Sequence, residues 1–327
     1  MNFDDFSQKV ILLDENTRKY CLPVFLKYLN EDKDTFHIIE IKSGEANKNI
    51  ETYRQIISQL IDLQIDRNSL LINLGGGVIC DIGGFVAASY KRGIRFMNVP
   101  TTLLAMVDAA HGGKNGLDFQ GIKNLIGCFY LPEEVIIHVD FLKTLPPEQI
   151  ESGRGEMAKM AIITGKTDYF ARACNDKTPE ENAVTKRVDT QQSMLNNINF
   201  SISEKMKIVN EDPREENGKR MILNFGHTFG HGYESYFLRK NKPISHGIAV
   251  VLGMIDAIKF SVKYADLDEN KAFQLIDFLK NNFNLPDVSS IPSEEMNVLL
   301  KQDKKNKNGE RKMVLLRDIG KAIIMQI

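Results

Sequence analysis

The segment 69–77, SLLINLGGG, constrains this chain more than any other. It reads as an apolar strand running straight into three glycines, and the following VICDIGGFVAASYKRG has the pattern of a helix. The same alternation recurs nearby. KVILL, FHIIEI, RFMNVPTT and EVIIHVD read as strands, and NIETYRQIISQLIDLQI has helical periodicity. Strands alternating with helices predict an α/β domain around a mostly parallel sheet over 1–150. Past TLPPEQIESG the period changes to that of helices, in GEMAKMAIIT, SMLNNINFSISEKMKIVNED and KAFQLIDFLKNNF. A second, mostly helical domain is therefore expected over 151–327, closed by the strand-like pair KMVLLRDIGKAIIMQI. DKKNKNGERK reads as a solvated, charged hairpin tip.

The chain's 327 residues suffice for one large or two ordinary domains with a buried core, and a formal charge of -1 gives no electrostatic case for nucleic acid or membrane binding. GIAVVLGMI is far shorter than the roughly 20 apolar residues of a bilayer span. The acidic start, MNFDDF, does not read as a signal peptide. Cys21, Cys80, Cys128 and Cys174 show no metal-knuckle spacing and are expected to be free thiols in a reducing, cytoplasmic setting.

Three constellations carry chemistry. A strand ending in Gly75, Gly76 and Gly77 lets backbone amides approach a phosphate, helped by the positive end of the next helix. It is not the spaced dinucleotide fingerprint, and a ligand-free tight turn is the plain alternative. NVPTTLLAMVDAAHGGKNGLDFQGIKNLIG reads as a loop offering Asp108, Lys114, Lys123 and Asn124 to a small anion; a solvated surface loop is its alternative. Finally, Glu156 and Lys159 share a face of an apolar helix, while His227, His231 and His246 cluster in NFGHTFGHGYE and ISHGIAVVLGM. One carboxylate and two histidines make a catalytic metal set with open positions, leaving one imidazole for proton transfer. Spacing alone does not assign which.

Taken together, GGGVICDIGGFVAASYKRG, VPTTLLAMVDAAHGGKNG, KNLIGCFYLP, FLKTLPPEQIESGRGEMAK, RMILNFGHTFGHGYE, HGIAVVLGM and DKK resemble the 3-dehydroquinate synthase family of sugar phosphate cyclases. The resemblance runs from DENT at 14–17 to DIGKA at 318–322. It implies a Rossmann-like NAD-binding domain, a helical metal- and substrate-binding domain, and a homodimer. It implies Zn2+ or Co2+ on Glu156, His227 and His246, with His231 in proton transfer. For the sugar phosphate it implies Arg92, Asp108, Lys114, Asn124, Lys159, Lys205, Arg220, Asn224 and Lys305. For NAD it implies Asp14, Asn16, Glu45, Lys48, Gly75–Gly77, Asp81, Thr101, Thr102, Lys123, Phe141 and Thr144. The implied reaction turns a seven-carbon keto-acid phosphate into dehydroquinate and phosphate.

The chain departs from that pattern at VDAAHGGKN, where the family reads VDSSxGGKT, so His111 is expected near substrate or NAD. EDPREENGKR is one residue longer than usual. A related cyclase, 2-deoxy-scyllo-inosose synthase, shares the architecture but carries glutamate where this chain has Asn224. Iron-dependent alcohol and glycerol dehydrogenases use a different glycine loop and metal carboxylate. A catalytically silent NAD-binding paralogue draws its support from the altered loop alone.

Overall fold

The computed structural model describes residues 3–167, 185–292, 294–295, 306–307 and 310–326. The chain divides into two compact units, Met1–Pro146 and Pro147–Ile327.

The first unit is built on a five-stranded, all-parallel sheet in the order β2-β1-β3-β4-β7. Its strands are β1 (Lys9–Asp14), β2 (His37–Ile41), β3 (Leu70–Gly75), β4 (Arg95–Pro100) and β7 (Glu134–Val135). Every residue of β3 is buried, as befits a strand with helices on both faces of its sheet. Helices α1 (Glu15–Tyr20), α2 (Leu22–Leu29), α3 (Ile50–Asp62) and α4 (Gly77–Ser89) follow the strands. Val10, Leu12, Ile39, Ile56, Leu60, Leu71, Ile82 and Phe96 form the core between them. From β1 the chain moves outward to β2, then returns to place β3 on the other side of β1. The strand order thus switches direction between β1 and β3, and ligand crevices in such sheets open at the carboxyl ends of those strands. Asp14 and Gly75 end these two strands.

Two expectations need correction here. The stretch expected as a loop around Asp108–Asn124 is ordered: a π-turn, Ala105–Ala109, leads into an antiparallel hairpin of β5 (Lys114–Phe119) and β6 (Ile122–Phe129). Glycines hid it, because Gly116 and Gly127 face each other across the hairpin, where a Cβ on either would meet carbonyl oxygens of the opposite strand. EVIIHVD, expected as a full strand, pairs only at Glu134 and Val135 before the 3-10 turn Val139–Thr144.

The second unit is helical: α5 (Pro147–Thr164), α6 (Thr185–Glu211), α7 (His227–Arg239), α8 (His246–Ala265) and α9 (Glu269–Asn282). Helix α8 is buried continuously from Gly247 to Ile255, which explains why its sequence shows no polar face there. Strands β9 (Glu310–Asp318) and β10 (Lys321–Gln326) pair antiparallel. The Leu316 N–H donates to the Ser261 hydroxyl of α8 at 2.9 Å. The short strand β8 (Asn306–Lys307) pairs with the start of β9, so the charged tip is partly a ladder; 303–305 and 308–309 lie outside the described residues. Among the described residues, no helix is long and apolar enough to cross a membrane.

Candidate active site and metal centre

In the first unit Asp14, Gly75–Gly77, Thr101 and Thr102 lie at the carboxyl edge of the sheet. Gly75 is a packing requirement, since a Cβ there would lie 2.4 Å from the Ile79 side chain. Gly76 precedes α4 with no side-chain cap, so the first amides of a 13-residue helix are presented by backbone alone. Thr101 and Thr102 follow β4, and the Thr101 N–H donates to the Gly75 carbonyl at 3.0 Å. Asp14 caps α1 by accepting the Thr17 N–H at 2.8 Å; Asn16 is exposed on the same turn.

Lys48 is the centre of charge in this unit. Its side chain is 5 % exposed, and its ammonium lies 2.8 Å from Glu45, 3.3 Å from Asp81 and 3.6 Å from Asp118. It also donates to the Asn124 Oδ1 at 3.0 Å. Burial opposes the charge on Lys48, but the three carboxylates outweigh it and raise the lysine's proton affinity. Burial pushes the Asp81 carboxyl up to about 6, and the Lys48 ammonium pulls in the opposite direction; the neighbouring Glu45 and Asp108 add to the rise. Asp118, absent from the sequence-based set, ties the hairpin to this cluster. Its backbone N–H donates to the Lys48 carbonyl at 2.7 Å, and its carboxylate accepts the Asn124 N–H at 2.8 Å.

Other predicted residues lie elsewhere on this unit. Lys114 opens β5 and is exposed; Lys123 is exposed on β6. Phe141 is buried and Thr144 exposed in the turn after β7. Arg92 sits past the C-terminal end of α4, a helix roughly 20 Å long, so it is at the far end from the glycine loop. His111, expected near substrate or NAD, is 9 % exposed and its Nε2 lies 2.9 Å from the Met106 carbonyl, bracing the π-turn. Asn115 likewise serves the fold: its Nδ2 donates to the carbonyls of Gly113 and Tyr130 at 3.0 and 2.8 Å.

In the second unit, three helices meet through backbone contacts that only glycine permits. A Cβ on Gly247 of α8 would lie 1.8 Å from the Ser152 carbonyl oxygen of α5. Gly226 caps α7 at φ +79°, and the Gly253 position of α8 packs against its carbonyl. These approaches bring Glu156 of α5 together with the first residues of α7 and α8, His227 and His246.

Glu156 is 1 % exposed and divides its oxygens. Oε2 pairs with the Lys159 ammonium, itself buried, while Oε1 lies 3.6 Å from His227 Nε2 and 3.5 Å from His246 Nε2. Ligand atoms on one tetrahedral ion with bonds of about 2.0–2.1 Å sit about 3.4 Å apart, close to these separations. All three ligand atoms fall within 4.8 Å of one another. The far nitrogens are also engaged: His227 Nδ1 lies 3.2 Å from the Phe225 carbonyl, and His246 Nδ1 lies 3.2 Å from Glu234 Oε1. A proton held on each Nδ1 leaves each Nε2 lone pair for a metal, so the residues fit a divalent ion. Burial alone would lower the proton affinity of His246, but its bonds to Glu156 and Glu234 raise it to about 10.

His231, one turn after His227, stands outside the three-ligand set, with its ring centroid 5.6 Å from that of His227 and 6.3 Å from that of His246. Arg220 and Lys205 are buried. Asp212 fixes the loop before Arg220 by accepting its N–H at 3.0 Å and that of Glu216 at 2.8 Å. The Asn224 Nδ2 donates to Glu215 at 3.1 Å. Lys305 lies outside the described residues. Of the residues not anticipated, Asp212 and Glu215 belong to the EDPREENGKR segment, and Glu234 completes the face begun by His227 and His231.

The family described as 3-dehydroquinate synthase N-terminal matches residues 38–152, and that described as 3-dehydroquinate synthase C-terminal matches 153–306. This chain belongs to the 3-dehydroquinate synthase family. A 3-dehydroquinate synthase of Parabacteroides distasonis is 39% identical over 98% of this chain and 88% of its own length. One from Pyrococcus furiosus is 40% identical over 98% of this chain and 89% of its own. Among solved structures, 2-deoxy-scyllo-inosose synthase complexed with carbaglucose-6-phosphate, NAD+ and Co2+ superposes with a TM-score of 0.83 at 25% identity, covering 100% of this chain and 89% of that one. The α/β architecture is thus the family's.

Proposed function

We propose that this chain is an NAD- and divalent-metal-dependent phosphate-eliminating cyclase. It converts 3-deoxy-D-arabino-heptulosonate 7-phosphate to 3-dehydroquinate and phosphate, as a cytoplasmic homodimer. The observation that carries the reading is the set Glu156, His227 and His246, with both Nε2 atoms at tetrahedral-edge distance from one buried carboxylate oxygen. The relatives' shared name and the NAD+ and Co2+ of the inosose synthase structure support it.

In this reading Glu156, His227 and His246 hold Zn2+ or Co2+, and the Gly75–Gly77 turn, Asp14, Asn16, Glu45, Lys48, Asp81, Thr101, Thr102, Lys123, Phe141 and Thr144 hold the nicotinamide cofactor. When bound, a divalent metal held by those residues would supply Lewis acidity to a substrate hydroxyl, and a nicotinamide would supply reversible hydride acceptance at that carbon. With that carbon transiently at the ketone level, the neighbouring C–H would be acidic enough for its proton and the phosphate to leave, forming a C=C bond. Ring opening and aldol closure would complete a conversion with no net redox change. His231 moves a proton beside the metal ligands. Lys159, Lys205 and Arg220, all buried in the second unit, supply fixed positive charge for the substrate's carboxylate and phosphate; Arg92, Lys114 and Lys305 rest on the family resemblance alone. Asn224, Asn124 and Asp108 orient hydroxyls. His111 and Asn115 brace the turn and hairpin, which supports a local variation of the family loop over a silent paralogue.

The test is phosphate release from the heptulosonate phosphate by purified protein with NAD and zinc or cobalt. Phosphate with dehydroquinate is expected. Release from a hexose 6-phosphate alone would move the chain to the inosose branch, and no release from either would overturn the reading.

A further inference from the structure

We propose that Glu234 is a positioning residue of the metal centre, acting through His246 to set the affinity for a divalent transition cation. This rests on the metal reading of Glu156, His227 and His246. The helix α7 places His227, His231 and Glu234 at i, i+4 and i+7, one face of two turns. The first two were legible as metal or proton-transfer candidates; the third makes the other half of a chain of contacts. Glu234 Oε1 lies 3.2 Å from His246 Nδ1, and His246 Nε2 lies 3.5 Å from Glu156 Oε1. The imidazole therefore stands between two carboxylates, with its metal-facing nitrogen turned to Glu156 and its far nitrogen to Glu234.

The two histidines differ in what backs them. His227 leans on a neutral backbone carbonyl, and that partner is two residues away in sequence, so it is set locally. His246 leans on a full charge carried by another helix. Its side chain is 28% exposed against 12% for His227, so it is the ligand with more room to turn. A carboxylate behind the ring holds the proton on Nδ1, fixes the ring plane and makes Nε2 a stronger donor. Glu234 is itself only 12% exposed, so its carboxylate is held against the ring by the surrounding protein. It is not a fourth ligand in this arrangement, because the His246 ring separates it from the Nε2 side.

The experiment is a titration of the metal-free full-length chain with Co2+, followed by visible absorption, in the wild type, Glu234→Gln, Glu234→Ala and His246→Ala. Glu234→Ala is expected to bind Co2+ about 10- to 100-fold more weakly. Glu234→Gln, which keeps an acceptor but loses the charge, is expected to fall between it and wild type, and His246→Ala should lose the site. Thermal melting of the metal-free Glu234→Ala and Glu234→Gln chains should fall modestly and together, because both lose the charge that faces His246. Equal Co2+ affinity in wild type and Glu234→Ala overturns the proposal. So does a loss of affinity matched by a fall in melting temperature of the metal-free Glu234→Ala protein, with Glu234→Gln unaffected, because Glu234 would then serve folding. A wild-type chain that takes up no Co2+ overturns the metal reading beneath it.

Discussion

The two units build their sites in opposite ways. In the first, a strand runs into glycines and a helix starts, so Gly75–Gly77 is a candidate site element formed by contiguous chain. In the second, Glu156, His227 and His246 come from three helices and meet only because Gly247, Gly226 and Gly253 let backbones touch. A contiguous element tolerates loss of one side chain far from it. An assembled one depends on every helix that enters it.

The largest effect should come from Glu156→Ala, which removes the shared carboxylate: bound metal is lost, and turnover falls by several kcal/mol of barrier, on the order of 1000-fold. Metal analysis and phosphate release check both. His231→Ala should separate the roles within the cluster by keeping metal while losing roughly 100-fold or more in turnover. Full metal loss in His231→Ala, or full occupancy in His246→Ala, would break the assignment.

Gly247→Ala tests the helix contact directly. Its methyl would press on the Ser152 backbone, so a loss of about 3 kcal/mol in urea denaturation is expected, with weakened metal binding. In the other unit, Lys48→Ala should cost about 2 kcal/mol by leaving Asp81 and Asp118 without their cation, and should weaken NAD binding while metal binding stays intact. If it lowered metal affinity as much as NAD affinity, the contrast between the units would fail.

The smallest signal is a proton count. In the metal-free chain the His246 pKa of about 10 lies above its ordinary 6.5. Its contribution to stability is therefore full below about 6.5 and lost as pH rises through about 10. At pH 8 a divalent ion must displace that proton, so metal binding should release about one proton, measurable in weak buffer. No release would mean that His246 is already neutral there.

Much of this was legible beforehand for physical reasons. Periodicity reports which faces are buried, so the strand–helix alternation and the helical second half were readable, and the glycine loop announced itself by composition. The hairpin 114–129 was not, because Gly116 and Gly127 erase strand alternation where two backbones crowd. The departures at His111 and Asn115 looked chemical in sequence; in three dimensions they satisfy backbone carbonyls.

By itself the sequence determined the α/β-then-helical order and the candidate ligands, since both are properties of local pattern and residue chemistry. The tertiary structure alone decided that Glu156 Oε1 faces two Nε2 atoms, and that Glu234 and Asp118 stand behind His246 and Asn124. Those pairings join residues far apart in the chain or on different elements, and which atom faces which is set by how closely the backbones can approach.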